Sequence, residues 1–209
     1  MTKRKLFEYG GMLAGVVLIA FGIGALLMSF DARSTTRDEI KREQIVGSDD
    51  MSPSGIQAGI EEAGLTGVDV PSCDVAGEPI DTGGEARCFA QYLRIHALEA
   101  SGGLTYAQMG RFVAADDPEN PAGTSDESAA LTDEEGNPVP NTSRNTWVTA
   151  TALSTALNVS YMAEQLALFG IVVGIALILT GIGFLVLAIG GALRHARADE
   201  PAAKKAALA

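Results

Sequence analysis

The chain is poor in the residues that usually bind metals, with only two histidines and two cysteines among 209 residues. The two histidines, His96 and His195, lie on opposite sides of a long apolar stretch, so we do not expect them to share one metal ion. The phosphate-binding loop, the dinucleotide-binding fingerprint and the serine-nucleophile elbow are absent from the sequence. We therefore expect no cofactor, no metal site and no enzymatic activity.

Basic residues are also scarce, and their scarcity is uneven along the chain. The whole chain has 15 lysines and arginines against 26 aspartates and glutamates, whereas residues 31–165 contain 23 acidic and 8 basic residues. Such an acidic segment repels nucleic acids and anionic lipid headgroups, so we expect no nucleic-acid partner. The acidic residues are interpreted as a solvated surface, with cation binding or a basic partner as the alternatives.

Two long stretches contain no charged residue, at residues 9–30 and 166–193. About 20 apolar residues in a helix cross a bilayer core of roughly 30 Å, and the backbone in lipid must bond within itself. Each stretch is therefore predicted to be a transmembrane helix. The first stretch is longer than the apolar core of a signal peptide and precedes no small-residue cleavage site, which favours an uncleaved anchor.

Basic residues flank the outer ends of both apolar stretches, and this predicts that both termini are cytoplasmic. These residues are Lys3, Arg4, Lys5, Arg194, Arg197, Lys204 and Lys205. The predicted layout is a cytoplasmic N-terminus (1–8), a first span (9–30), an extracytoplasmic acidic domain (31–165), a second span (166–193) and a cytoplasmic tail (194–209).

The two cysteines, Cys73 and Cys88, both lie in the acidic segment and are 15 residues apart. Outside the cytoplasm such a pair is expected to form a disulfide. A zinc site is the alternative, but the short C-x-x-C clip of zinc sites is absent. We therefore predict a disulfide that holds the turn-rich stretch between the cysteines.

Short helices are predicted within the acidic segment. Ser52 is an expected N-cap, with Pro53 at the first helical position. Apolar residues at helical spacing predict a second, largely buried helix from Ala86 to Ala100.

The rest of the acidic segment is predicted to contain a long loop and one long helix. Residues 114–144 are rich in Asp, Glu, Pro and Gly and are expected to be irregular, either mobile or draped over the surface. Helical spacing without interruption then predicts one helix from about Asn145 to Arg194, whose residues 145–165 belong to the acidic domain.

Between these segments, the stretch "HALEASGGLTYAQMG" has the features of a corner between two helices. Gly102 and Gly103 are expected to end the first helix. Thr105 and Gln108 form the pattern of a capping box, which predicts a second, short helix through Phe112.

His96 is the most interesting ionisable residue in this corner. Glu99 lies three residues further on and therefore on the same helix face. Such a pair can act as half of an acid–base site or as a pH sensor. The alternative, which we favour, is a structural corner in which His96 and Tyr106 face each other, supported by Leu93 and Leu104.

Glycines at a spacing of four residues occur in both apolar stretches. They are Gly11 and Gly15 in the first and Gly170 and Gly174 in the second. Small residues at this spacing allow close helix packing in membranes. Two interpretations stay open: oligomerisation or docking to a larger membrane complex, and packing of the two helices on each other.

The order of spans and the string "HALEASGGLTYAQM" resemble an actinobacterial family of small membrane proteins often labelled "aromatic ring-opening dioxygenase". The matching residues are His96, Ala97, Gly102, Gly103, Thr105, Tyr106 and Ala107. The resemblance implies a two-span membrane protein of bacteria. The dioxygenase label implies an iron site with two histidines and a carboxylate, which this chain cannot assemble on one side of a membrane.

The sequence therefore predicts an all-α membrane protein of the bacterial cell membrane, with two transmembrane helices flanking a small, mainly helical extracytoplasmic domain that contains a long irregular loop. We expect a non-catalytic accessory or interaction subunit, whose partners are the lipid bilayer and either a membrane protein or further copies of the chain. The alternatives are an extracytoplasmic sensor or enzyme that uses His96 and Glu99 and, third, an oligomeric channel component.

Overall fold

A computed structural model describes the backbone of residues 3–190 and the side chains from residue 8 onwards. Within this range the protein is all-helical, with no strand. The helices are α1 (Lys3–Arg42), α2 (Pro53–Glu62), α3 (Gly83–Ala100) and α4 (Thr142–Gly190), with two short 3-10 helices at Tyr106–Gln108 and Glu127–Ala129. The predicted helix end at Arg194, the predicted tail and His195 lie outside the described residues.

The described residues form two compact units. The first, here called the helix pair, consists of α1 up to Ser34 and α4 from Gln165. The second, here called the folded domain, consists of residues 35–164. These limits lie within a few residues of the predicted boundaries at 31 and 165.

Within the described residues, α1 and α4 are each long and apolar enough to cross a membrane. Only 17% and 11% of their most apolar 18-residue stretches is buried. Large side chains such as Phe21, Leu27 and Leu179 are more than 60% exposed. An apolar helix in the core of a soluble protein buries most of its surface, so this exposure favours a lipid environment.

The helix pair is antiparallel and packs through small residues. A Cβ atom on Gly22 would lie 2.7 Å from the carbonyl oxygen of Gly174, and one on Gly15 would lie 2.7 Å from that of Gly181. The backbones therefore approach too closely for any larger side chain.

All four glycines singled out in the sequence lie on this contact. Gly11 faces Ala188, Gly15 faces Gly181, Gly170 faces Ser29, and Gly174 faces Gly22. The packing of α1 on α4 accounts for all four. A search for glycines four residues apart does not find Gly22 and Gly181, because they follow Gly15 and Gly174 by seven residues.

The folded domain has a core built around α3. Tyr92 and Ile56 are the largest fully buried side chains, and Val75 and Ile80 from the disulfide-bonded stretch lie in the same cluster. Ile40 of α1 and Leu157 of α4 also belong to it.

The starts of α2 and α3 are fixed by capping side chains. At α2 the Ser52 hydroxyl accepts a hydrogen bond from the Gly55 N–H at 3.1 Å, as predicted for an N-cap. The α3 helix begins at Gly83, three residues before the predicted Ala86. Thr82 and Glu85 form a reciprocal capping box there. The two glycines between them obscured this signal in the sequence.

Glu164 joins three helices of the folded domain. Its carboxylate is 6% exposed. Its Oε1 accepts from Arg37 Nε at 2.8 Å, and its Oε2 accepts from the backbone N–H of Gly83 at 2.8 Å. The carboxylate therefore neutralises an arginine of α1 and also satisfies a free donor at the N-terminus of α3.

The loop at residues 114–144 is largely irregular and lies on the surface up to the start of α4, as predicted, and backbone hydrogen bonds tie its segments together. Isolated bridges pair Phe112 with Thr124 and Pro140, and Ala114 with Ala130. The Asn141 amide donates to the carbonyl oxygens of Gly110 and Pro121. These bonds satisfy the backbone without a regular sheet, a pattern that leaves no periodic signal in the sequence.

The predicted helix through Phe112 is wrong. Only Tyr106–Gln108 forms a single 3-10 turn, and Phe112 already belongs to the bridged loop. The start of α4 at Thr142 lies three residues before the predicted Asn145.

Cys73 and Cys88 form a disulfide, with 6.1 Å between their Cα atoms. It joins the extended stretch before α3 to α3 itself. We expect a Cys73→Ala/Cys88→Ala variant to lose about 3 kcal/mol of unfolding free energy, the value for a closed loop of about 15 residues. Thermal unfolding with and without reductant measures this, and a variant as stable as the oxidised protein would contradict it.

Tyr92 makes the stability of the folded domain sensitive to alkaline pH. Its hydroxyl donates to the Cys73 carbonyl oxygen at 2.6 Å. Burial, and to a lesser extent the nearby Asp74 carboxylate, raises the pKa of Tyr92 above its ordinary value. The folded state thus holds the Tyr92 proton more tightly than the unfolded chain does. The contribution of Tyr92 to the free energy of unfolding is therefore complete below about pH 10 and is lost at higher pH.

We therefore expect the melting temperature to fall above about pH 10, and to fall less steeply in Tyr92→Phe. The variant starts from a stability lower by about 1 kcal/mol, because it lacks the hydrogen bond. Melting curves of both proteins at a series of alkaline pH values test this. Parallel pH profiles for the two proteins would assign the loss to other groups.

Candidate functional site

His96 lies between two carboxylates. Its Nδ1 is 2.8 Å from Glu99 Oε2, and its Nε2 is 3.6 Å from Asp50 Oδ2. The Glu99 contact has the one-turn spacing predicted from the sequence, whereas Asp50 comes from the loop before α2. The imidazole therefore links α3 to the segment that precedes α2.

The second oxygen of Glu99 is buried without a hydrogen-bond donor. It packs against the Cα of Gly59 in α2, where any Cβ would collide with it. The missing side chain of Gly59 leaves room for the Glu99 carboxylate between α2 and α3.

The surroundings of His96 contain few groups for catalysis. No group of three or more His, Cys, Asp or Glu side chains that could hold a metal ion occurs among the described residues. The contacts of His96 with Asp50 and Glu99 join the loop before α2 to α3. The Ser48 hydroxyl donates to the other oxygen of Asp50 at 2.6 Å, so it contacts the carboxylate in this cluster.

The glycine turn after α3 forms as the sequence predicts. Gly102 and Gly103 both have positive φ, at +60° and +79°. The Gly103 N–H donates to the Leu98 carbonyl oxygen at 2.8 Å. Two consecutive residues in the left-handed backbone conformation are strained if they carry a Cβ atom, so glycine is required at both positions.

After this turn, Gln108 reaches back to Thr105. Its Oε1 accepts from both the backbone N–H and the hydroxyl of Thr105, each at 2.8 Å. The two side chains predicted to face each other, His96 and Tyr106, each have other partners in the structure. The Tyr106 ring lies under the Arg144 guanidinium, 3.9 Å from ring centroid to Cζ, while His96 contacts the two carboxylates.

Four arginines of the folded domain lie over aromatic rings. Arg111 lies over Phe112 and also pairs with Glu127, whereas the other three form no ion pair within the described residues. The three stacked pairs are Arg87 with Tyr161, Arg94 with Trp147, and Arg144 with Tyr106. Free guanidinium groups are unexpected in a segment with so many carboxylates. The stacking holds them by cation–π attraction instead.

Sequence reasoning missed this feature, although a signal was present. Arg87 and Arg94 are seven residues apart on α3, which places them on one face. Trp147 and Tyr161 are fourteen residues apart on α4, which is again one face. The pattern can be recognised only once α3 is known to run along α4.

Arg94 also lines a groove in the folded domain. A cavity of about 540 Å³ lies between α3 and the stretch of residues 67–72. A second cavity of about 330 Å³ shares Gly67, Val68 and Leu98 with it and continues to the glycine turn. The lining of the larger cavity combines apolar side chains with Arg94, Gln91, Asp69 and Ser72. Such a mixture is typical of binding sites.

Comparison of the chain with protein-family models, with curated proteins and with solved structures found no match.

Proposed function

We propose that the protein is a non-catalytic accessory subunit of the bacterial cell membrane, which crosses the bilayer twice and presents its folded domain to a partner protein outside the cytoplasm. The observation that carries this proposal is the outward exposure of the apolar side chains of the helix pair, together with a charged domain inserted between its helices. The basic flanks of the two spans support the orientation.

The folded domain supports a binding role better than a catalytic one. Two cavities of the folded domain lie along α3 and the glycine turn, and His96 lines neither of them. The disulfide joins Cys73, directly after one side of the groove, to α3, which forms the other side. A preorganised surface lowers the entropic cost of binding a partner.

Purification of the tagged protein from its native membranes in mild detergent, after in-cell cross-linking, tests this function. We expect one membrane protein to co-purify in near-stoichiometric amount, with cross-links to residues of the folded domain. A chain that cross-links only to its own copies would contradict an accessory role and indicate a homo-oligomer.

An extracytoplasmic pH sensor that uses His96 and Glu99 is the second candidate, because His96 lies between two carboxylates. Histidine side chains change charge between about pH 5 and 8, and a charged imidazole would pair with both Glu99 and Asp50. The sensor predicts that partner association varies over this pH range and that His96→Gln abolishes the variation. The accessory role predicts that His96→Gln binds the partner as the wild type does.

A further inference from the structure

The stretch of residues 66–72, here called the strap, presents a free backbone edge. The preceding residues close the end of α2, with the Leu65 N–H donating to the Ile60 carbonyl oxygen. From residue 66 to residue 72, no backbone N–H or carbonyl group has a hydrogen-bond partner among the described residues. Most of this stretch is exposed to solvent, so its backbone groups are open to pairing with the backbone of a bound chain.

The strap runs along one side of the groove, and α3 forms the opposite side. Ile95 and Leu98 of α3 face the cavity together with Val68 and Pro71 of the strap. The groove therefore offers apolar surface next to unpaired backbone. This combination matches an extended peptide, whose side chains alternate and whose backbone can pair with a free edge.

The lining of the larger cavity holds one basic side chain, Arg94, and one acidic side chain, Asp69. The Arg94 guanidinium stacks on Trp147 at 5.3 Å and has no carboxylate partner among the described residues. A stacked guanidinium is held in place while its N–H groups stay free to bind a carboxylate in a two-pronged geometry. Gln91, one turn earlier on α3, adds an amide to the same lining.

We propose that this groove binds an extended peptide segment of the partner protein, which pairs with the strap backbone and places one carboxylate on Arg94. The proposal rests on the proposed function, because the peptide belongs to that partner. The excess of acidic residues in residues 31–165 repels an acid-rich peptide. The segment is therefore neutral or basic apart from the single carboxylate.

The carboxylate can come from an acidic side chain or from a chain terminus. Random hexapeptides, prepared once with free C-termini and once as C-terminal amides, are offered to the full-length protein in nanodiscs, and retained peptides are sequenced by mass spectrometry. We expect enrichment of peptides with one carboxylate. Enrichment that persists among the amides assigns an Asp or Glu side chain, and enrichment limited to free acids assigns the C-terminus.

Arg87 provides a matched control for Arg94. Both residues are exposed, lie on α3 and stack on an aromatic ring of α4, but Arg87 does not line the groove. Arg94→Gln is expected to weaken binding of the enriched peptide at least about tenfold, the loss typical of a charge-assisted hydrogen bond. Arg87→Gln is expected to leave the affinity unchanged. Equal affinities for all three proteins would overturn the proposal.

Hydrogen exchange of the strap amides tests the backbone pairing. In the free protein these amides have no partner within the described residues and exchange fast with solvent, and alternate N–H groups of the strap, which lacks one at Pro71, are expected to become protected when the enriched peptide binds. Bound peptide without strap protection would overturn the proposal, as would retention of free dicarboxylic acids in place of peptides.

If peptides bind but no partner co-purifies, the accessory function fails while the groove stands. If the partner co-purifies equally with Arg94→Gln, the function stands and the groove assignment fails.

Discussion

Replacing Glu164 with alanine is expected to destabilise the folded domain by about 3 kcal/mol. Removing one partner of a buried ion pair typically costs about 3–5 kcal/mol, and the lower end applies because the Arg37 side chain is 35% exposed. The same change leaves the Gly83 N–H at the start of α3 without its acceptor. Hydrogen exchange of α3 amides, measured on the full-length protein in nanodiscs, reports the loss.

Glu39→Ala is the matched control for this prediction. Glu39 also pairs with an arginine, Arg42, at 2.7 Å, but both side chains are more than half exposed. Such surface pairs contribute about 0–1 kcal/mol, so little change is expected. If Glu164→Ala and Glu39→Ala lowered stability equally, the linking role of Glu164 would be refuted.

A leucine at Gly22 is expected to separate the helix pair. A Cβ at this position would lie 2.7 Å from both the Gly174 carbonyl oxygen and Ile178 Cγ1, so the backbones must move apart. Overpacking a well-packed contact costs about 1–3 kcal/mol, and a collision with backbone belongs to the upper part of that range. The matched control is Gly24→Leu on the same helix, because nothing lies within 4 Å of a Cβ at Gly24.

Oxidative cross-linking of Gly11→Cys with Ala188→Cys measures this separation. A Cβ at Gly11 lies 3.3 Å from the Ala188 Cβ, close to the distance that a disulfide requires. We expect high yield in the parent protein and in Gly24→Leu, and low yield in Gly22→Leu. An unchanged yield in Gly22→Leu would show that the helices do not pack through this row of small residues.

The sequence predicted the features that depend on local pattern. The apolar stretches, the Ser52 cap, the glycine turn at Gly102 and Gly103, and the pairing of Cys73 with Cys88 each depend on residue type at short spacing. Each of these has a local physical cause that a single sequence carries.

The features that were missed depend on contacts between distant residues. The bridged loop pairs Phe112 with Pro140, and Glu164 bonds to Gly83 across 81 residues. The stacking of Tyr106 with Arg144 of α4 is a further contact that the sequence does not reveal. The groove next to Arg94 likewise exists only where the strap and α3 come together, so no motif marks it in the sequence.

The central claim is that the folded domain lies outside the cytoplasm while both termini lie inside. Single cysteines at Ser125, which is exposed in the folded domain, and at Ala203 in the C-terminal tail test it with a membrane-impermeant maleimide. The native cysteines are disulfide-bonded and do not react with it. On intact cells we predict labelling of Ser125→Cys, and labelling of Ala203→Cys only after permeabilisation. Labelling of both positions, or of Ala203→Cys alone, on intact cells would contradict the account.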